Sequence, residues 1–150
     1  WRSRRAFDQE IAQVEQVMGA CLMLNRRHRF DERFFLYCED TELCHRLRQE
    51  GPIIYVPGAA FFHELGASTS ARRWWAVAMY NRGKELTFSI HRGALARVAC
   101  WLLNRLGALL RLTVWSLVWL LTVGRRGSPG LWARVLFAPL GGPALPKDAR

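Results

Sequence analysis

The sequence predicts an α/β domain followed by amphipathic or membrane-associated helices, and three observations predict it. In residues 1–92, apolar runs of strand length and glycine or proline turns alternate with a helical pattern. Residues 93–126 are dominated by Leu, Val, Ala and Trp at helical spacing, and residues 127–150 are rich in proline and glycine. The charge is divided unevenly. Residues 1–70 carry nine Lys or Arg against ten Asp or Glu, whereas residues 71–150 carry thirteen against two, so the net charge of +10 arises in the second half. A chain of 150 residues, 51% of them hydrophobic, can bury a real core, which argues against general disorder.

Residues 1–16 are polar and charged and lead into Val17, Met18, Gly19, Ala20, Cys21, Leu22, Met23 and Leu24, an apolar run that reads as a buried strand. A basic connection follows, then Phe34, Phe35, Leu36 and Tyr37, a second apolar segment of strand type. From Asp40 the period becomes helical. Leu43 and Leu47 share one face, and Glu42 and Arg46 form a favourable i,i+4 pair on another. Gly51 and Pro52 stop that helix, and Ile53 to Val56 is a short β-type run ended by Pro57 and Gly58. After a small-residue loop at 66–70, everything to about Val123 reads as helix, with breaks near Gly83 and Gly93. The tail of 127–150 reads as loosely ordered apart from an apolar piece at 131–137.

Cys21, Cys38, Cys44 and Cys100 form no CxxC pair, and they read as reduced, mostly buried small hydrophobes. The start of the chain has no short apolar core of signal-peptide type, which places the first half in the cytoplasm.

The adjacent carboxylates Glu39 and Asp40 follow an aromatic run and open a helix. A carboxylate there has a fixed backbone and a charge favoured by the helix N-terminus. It suits a general base that takes a proton from an attacking hydroxyl. The plainer reading of the same pair is helix capping.

Taken in order, the pieces resemble the family 2 glycosyltransferases, rhamnosyltransferase-like members in particular. These pieces are residues 17–24, then Phe30-Asp31-Glu32-Arg33-Phe34-Phe35, then Tyr37-Cys38-Glu39-Asp40 with Leu43, Arg46 and Gly51, and finally Tyr55-Val56-Pro57-Gly58-Ala59, His63, Gly66 and Ser68. The resemblance covers roughly residues 14–85. It implies the acceptor-side half of a GT-A glycosyltransferase fold and an inverting sugar transfer, with rhamnose as a candidate sugar. The donor would be a nucleotide diphosphate sugar and the acceptor a lipid-linked or cell-wall glycan. It further implies Asp40 as catalytic base, with Glu39 supporting it or touching the acceptor, and Gly19, Ala20, Tyr37 and Arg46 as acceptor- or donor-binding positions. Arg46 is able to face a diphosphate, but the simple pair with Glu42 is the preferred reading. His63 matches a position that helps to bind the divalent metal or the diphosphate. The Mg²⁺ or Mn²⁺ cofactor would draw its main ligands from a nucleotide-binding half with a DxD motif, preceding Trp1 or supplied by a partner chain. No Asp-x-Asp occurs in this chain, and Arg27-His28-Arg29 stands where the family has a Gly-Gly pair and a longer loop.

In 94–123 the polar residues Arg97, Asn104 and Arg111 recur every seventh position as a stripe, read as lying opposite Trp101, Trp115 and Trp119. Arginine and tryptophan on an apolar helix fit a bilayer interface. Residues 112–123 are too short to span, so an interfacial helix or a membrane-dipping hairpin on the cytoplasmic face is expected, with a helix covering the domain core as the alternative. A different class of function stays open: a non-catalytic, basic, membrane-associated relic of such an enzyme. Nucleic-acid binding is not expected, because the aromatics lie among aliphatic residues rather than basic ones.

Overall fold

The computed structural model describes residues 10–58, 63 and 70–139. The chain divides into two compact units, Trp1–Leu65 and Gly66–Arg150, so the boundaries expected at 92/93 and 126/127 both fall inside the second. Among the described residues it is helix-rich, with one two-stranded sheet.

In the first unit, strand β1 (Ala12–Val14) pairs antiparallel with β2 (Ile53–Tyr55), Ala12 opposite Tyr55 and Val14 opposite Ile53. Strand β2 lies between Pro52 and Pro57, which cannot donate to a ladder. Its pleat alternates as a half-covered strand should, with Ile53 buried and Ile54 exposed. Helix α1 (Glu39–Leu47) has Glu39, Asp40 and Glu42 in its first turn and His45 and Arg46 in its last, so both ends complement the helix dipole. It buries Leu43 and Cys44, with Phe34, Cys38 and Ile53 also in the core. Withdrawing Leu43 from water stabilises the unit by roughly 1.5–3 kcal/mol. The Gly51 N–H donates to the Leu47 carbonyl at 3.0 Å, and Pro52 ends the helical path.

Two expected strands are absent. Residues 17–24 form a non-helical segment with a turn, in which the Cys21 N–H donates to the Met18 carbonyl at 3.2 Å. Met23 is 97% exposed. Residues 34–38 form a bend, with Tyr37 and Cys38 both at positive φ (66° and 67°). Apolar composition alone does not make a strand, because a strand needs a neighbouring backbone for its ladder. Among the described residues the only ladder joins β1 and β2. The segment read as a polar lead-in supplies β1 instead.

In the second unit a short 3₁₀ turn (Ser70–Arg72) opens α2 (Arg73–Leu121). This is one helix by hydrogen bonding, but Gly93 has φ 85° and ψ −178° and divides it into limbs 73–92 and 94–121. The limbs fold back on each other. Lys84 Nζ donates to Asn104 Oδ1 at 2.8 Å, and Asn104 Nδ2 donates to Glu85 Oε1 at 2.9 Å. In a straight helix these residues would stand roughly 30 Å apart. Small buried residues, Ala78 and Gly83 on one limb and Cys100 and Ala108 on the other, suit such close packing. Gly83 does not break the helix. Its carbonyl accepts from Thr87 Oγ1 at 2.9 Å inside a continuous limb.

Helix α3 (Pro129–Leu136) packs against α2 and falls on the apolar piece at 131–137 that the sequence sets apart from the loose tail, beginning two residues earlier. Residues 140–150 lie outside the described ones. Pro129 opens α3 where its missing N–H is harmless. The turn into it needs glycine at 127, where φ is 102° and a Cβ would stand 2.9 Å from the Trp115 carbonyl oxygen. Arg105 closes the far end, donating to the carbonyls of Val135, Leu136 and Ala138. Arg111 stacks on the Trp132 ring at 5.1 Å and Arg134 on the Trp74 ring at 5.9 Å. Asn104 and Arg111 of the polar stripe therefore face protein. The tryptophans stand beside that stripe rather than opposite it, because Trp101 follows Arg97 and Trp115 follows Arg111 by four residues. By length and composition α2 is apolar enough to cross a membrane.

Gly93 holds a backbone conformation that is essentially reserved for glycine. Gly93→Ala is therefore expected to lower the stability of the second unit by about 1–3 kcal/mol in urea unfolding. Gly130 lies at an ordinary helical position with open space around it, and Gly130→Ala should stabilise by about 0.5–1 kcal/mol. Equal effects of the two substitutions would contradict the strained turn.

Candidate functional site

Helix α1 begins without a side-chain cap. Its N-cap is Cys38, in the left-handed region with no side-chain capping bond to the helix, and the Cys38 carbonyl accepts from the Glu42 N–H at 2.9 Å. Asp40 has a different task. Its Oδ1 accepts from the Thr41 N–H at 2.7 Å, and its Oδ2 accepts from the Gly19 N–H at 3.0 Å, across 21 residues of sequence. A Cβ on Gly19 would stand 3.4 Å from the Asp40 Cβ, so the turn at 18–21 lies directly against the start of the helix.

Two further contacts hold that turn in place. Gln16 Nε2 donates to Thr41 Oγ1 at 2.8 Å, and Cys44 Sγ approaches the Val17 carbonyl at 3.9 Å. Thr41 Oγ1 is also 3.4 Å from Asp40 Oδ1. Neither Gln16 nor Thr41 was singled out from the sequence. Their contact spans 25 residues, and no local period or motif announces it.

Glu39 stands beside this clamp with Oε2 buried and without a hydrogen-bond partner. Burial pushes its carboxyl above the ordinary glutamate range; its own backbone N–H opposes that shift and the charge of Asp40 adds to it. Arg46 is committed elsewhere. It holds Glu42, which is 1% exposed, through Nε at 2.8 and 3.0 Å, and donates through Nη2 to the Arg29 carbonyl at 2.9 Å. Nearby, the Arg33 guanidinium holds the Asp31 carboxyl down to about 2.

Of the remaining residues singled out, Ala20 is exposed in the turn that carries Gly19, and Tyr37 lies half-buried at positive φ two residues before Glu39. His63 is exposed, and its neighbours on both sides lie outside the described residues. Gly19, Glu39 and Asp40 are thus gathered at one place, and Arg46 is turned to Glu42. Among the described residues no group of three or more His, Cys, Asp or Glu side chains is arranged to hold a metal ion, and His63 alone offers one ligand of the roughly six that Mg²⁺ or Mn²⁺ takes. Cys38, Cys44 and Cys100 are buried, Cys21 is exposed, and all four are free thiols.

Each oxygen of a carboxylate has two lone-pair positions. Asp40 therefore keeps accepting capacity after both backbone bonds are made, in a side chain that is only partly buried. A carboxylate held in this way can receive a proton from a hydroxyl within hydrogen-bond reach.

Comparison with known proteins relates part of the chain to a glycosyltransferase. It is 39% identical over 62 residues to the N-acetylglucosaminyl-diphospho-decaprenol L-rhamnosyltransferase of Mycobacterium tuberculosis strain CDC 1551 / Oshkosh, covering 37% of this chain and 20% of that protein. The same figures hold for the protein of that name in strain ATCC 25618 / H37Rv. The chain thus spans about a fifth of the length of the curated relatives it matches. No family model matches the chain. No solved structure matches it.

The half-buried Glu39 carboxyl sets a pH dependence whose sign is fixed. A group with its folded pKa raised favours the native state below the unfolded pKa, and that contribution is lost as pH rises through the folded value. Glu39→Gln should therefore melt higher than the parent at pH 7, with the difference shrinking as pH falls through the carboxylate range. Thermal melts of both proteins across that range test it. A difference independent of pH, or a less stable Glu39→Gln protein at pH 7, would refute it.

Proposed function

We propose that this chain is the acceptor-side portion of an inverting family 2 glycosyltransferase of GT-A type, with Asp40 as its catalytic base. The observation that carries the reading is the hydrogen bond from the Gly19 N–H to Asp40 Oδ2, which joins the two segments on which the resemblance rests. Local sequence similarity to a rhamnosyltransferase supports the same class of reaction.

In this reading the acceptor hydroxyl approaches Asp40, whose backbone bonds fix the direction of its remaining lone pairs. The hydroxyl oxygen attacks the anomeric carbon as its proton passes to Asp40. The bond from that carbon to the diphosphate breaks on the opposite side, and the nucleoside diphosphate departs with the electron pair. Glu39 stands next to the base and keeps a less hydrated carboxyl at the acceptor side. Gly19 and Ala20 offer a turn with no bulky side chain, which leaves room for a sugar ring. Following the relative's name, the sugar is rhamnose and the acceptor is a glycan carried on a polyprenyl diphosphate. Most ligands of the nucleotide diphosphate and of its divalent ion come from residues other than those described, and His63 is one candidate to join them. The second unit, with its basic excess and uncovered apolar helix, keeps the enzyme at the cytoplasmic face of the membrane.

Asp40→Asn tests the reading in a protein that joins this chain to a nucleotide-sugar-binding portion, from its own flanking sequence or from the mycobacterial relative. Asparagine has one acceptor oxygen where the aspartate uses two, so one backbone N–H loses its partner and stability should fall by about 1–3 kcal/mol. Loss of the base should lower the initial rate of sugar transfer by about 10²- to 10⁴-fold after correction for the folded fraction. A destabilised Asp40→Asn protein with near-normal turnover would leave Asp40 a structural clamp and remove it from the mechanism.

A further inference from the structure

The limb 94–121 has two unlike faces. Leu95, Leu103, Leu106, Leu110, Leu117 and Leu121 fall within one stripe at helical spacing, and each is at least 52% exposed. No charged side chain stands in that stripe. Arg105 is spent on the carbonyls that end α3, Arg111 stacks on Trp132, and Asn104 is held by Lys84 and Glu85 on the limb 73–92. Exposed arginines flank the ends of the limb, Arg92 beside the Gly93 bend and Arg125 and Arg126 beyond Leu121. An uncharged apolar stripe with cations at both ends complements one kind of surface, a lipid leaflet with anionic headgroups.

How the limb meets that leaflet follows from its partner. Asn104 lies ten residues beyond Ala94, about 15 Å along the axis. That is half the hydrocarbon thickness of about 30 Å. A limb crossing the membrane from the bend would therefore carry Asn104 to the midplane, and with it Lys84 and the buried Glu85. Ionisable groups at that depth are heavily disfavoured. If the limb lies flat, the leucine stripe enters the hydrocarbon, while 73–92 and α3 remain on the water side above the polar stripe. From this geometry we propose that the second unit docks on one leaflet of an anionic membrane with limb 94–121 parallel to the surface, and that α2 does not cross the bilayer. The inference rests on the membrane association proposed above and is independent of sugar transfer.

Nitroxide depth measurement on the full chain tests it, with vesicles of phosphatidylcholine containing a minority of phosphatidylglycerol. Leu95→Cys, Leu106→Cys and Leu117→Cys are labelled singly in a Cys21→Ser background, in which the other three cysteines are buried. These sites are exposed, so labelling leaves the packing intact. A flat helix gives the same shallow depth at all three. A crossing helix puts Leu106 near the midplane with Leu95 and Leu117 close to opposite surfaces, since they are about 33 Å apart. Flotation of the unlabelled chain should persist at high salt in weakened form, and Leu106→Glu should lose most of it. Graded depths overturn the flat seating. Failure to bind these vesicles, including as a soluble dimer that covers the leucine stripe with a second copy, overturns the proposal together with the membrane association on which it rests. Neither result bears on Asp40 or on glycosyl transfer, which the rate assay tests separately.

Discussion

A carboxylate taken out of water must be answered by its own fold, and that constraint organises both halves of this chain. Glu42 and Glu85 are the two buried acids among the described residues. Left without a partner, either would destabilise its unit by several kcal/mol. Glu42 is met by Arg46 one helical turn on, and the same guanidinium reaches the Arg29 carbonyl, so the neutralising group also fixes the basic connection before the aromatic bend. Glu85 has, among the described residues, no basic side chain bonded to it. It is met by the Asn104 amide, which can be reached only if the long helix turns back at Gly93. The charge thus helps to select the hairpin, as well as being accommodated by it.

The clamp at Asp40 follows a related logic with a different result. Its carboxylate is bonded by backbone amides rather than by a cation, so its negative charge is steadied without being neutralised. Glu39, one residue earlier, has the opposite environment, with one oxygen buried and unbonded. Two adjacent acids with such unlike surroundings can do unlike work.

Local signals in the sequence were sound where the physics is local. The helix at Glu39–Leu47, the short strand at Ile53–Tyr55 and the break at Gly93 each follow from neighbours within a few residues. Signals failed where a distant partner decides. The run at 17–24 has strand composition but no ladder among the described residues, while the unremarked Ala12–Val14 finds one in β2. Motif order brought Gly19 and Asp40 under one resemblance, but nothing in a linear reading shows that the amide of one bonds the carboxylate of the other. The seven-residue stripe at Arg97, Asn104 and Arg111 was legible as a stripe. Its direction was not, because a period identifies a face without saying what covers it.

Arg105 gives α3 an end whose carbonyls are bonded within the protein. The last carbonyls of a helix ordinarily depend on water, and here a guanidinium from the neighbouring limb serves Val135, Leu136 and Ala138 instead. Those three carbonyls keep a protein partner whether or not solvent reaches that corner. Fraying of α3 from this end therefore requires one guanidinium to release three carbonyls together.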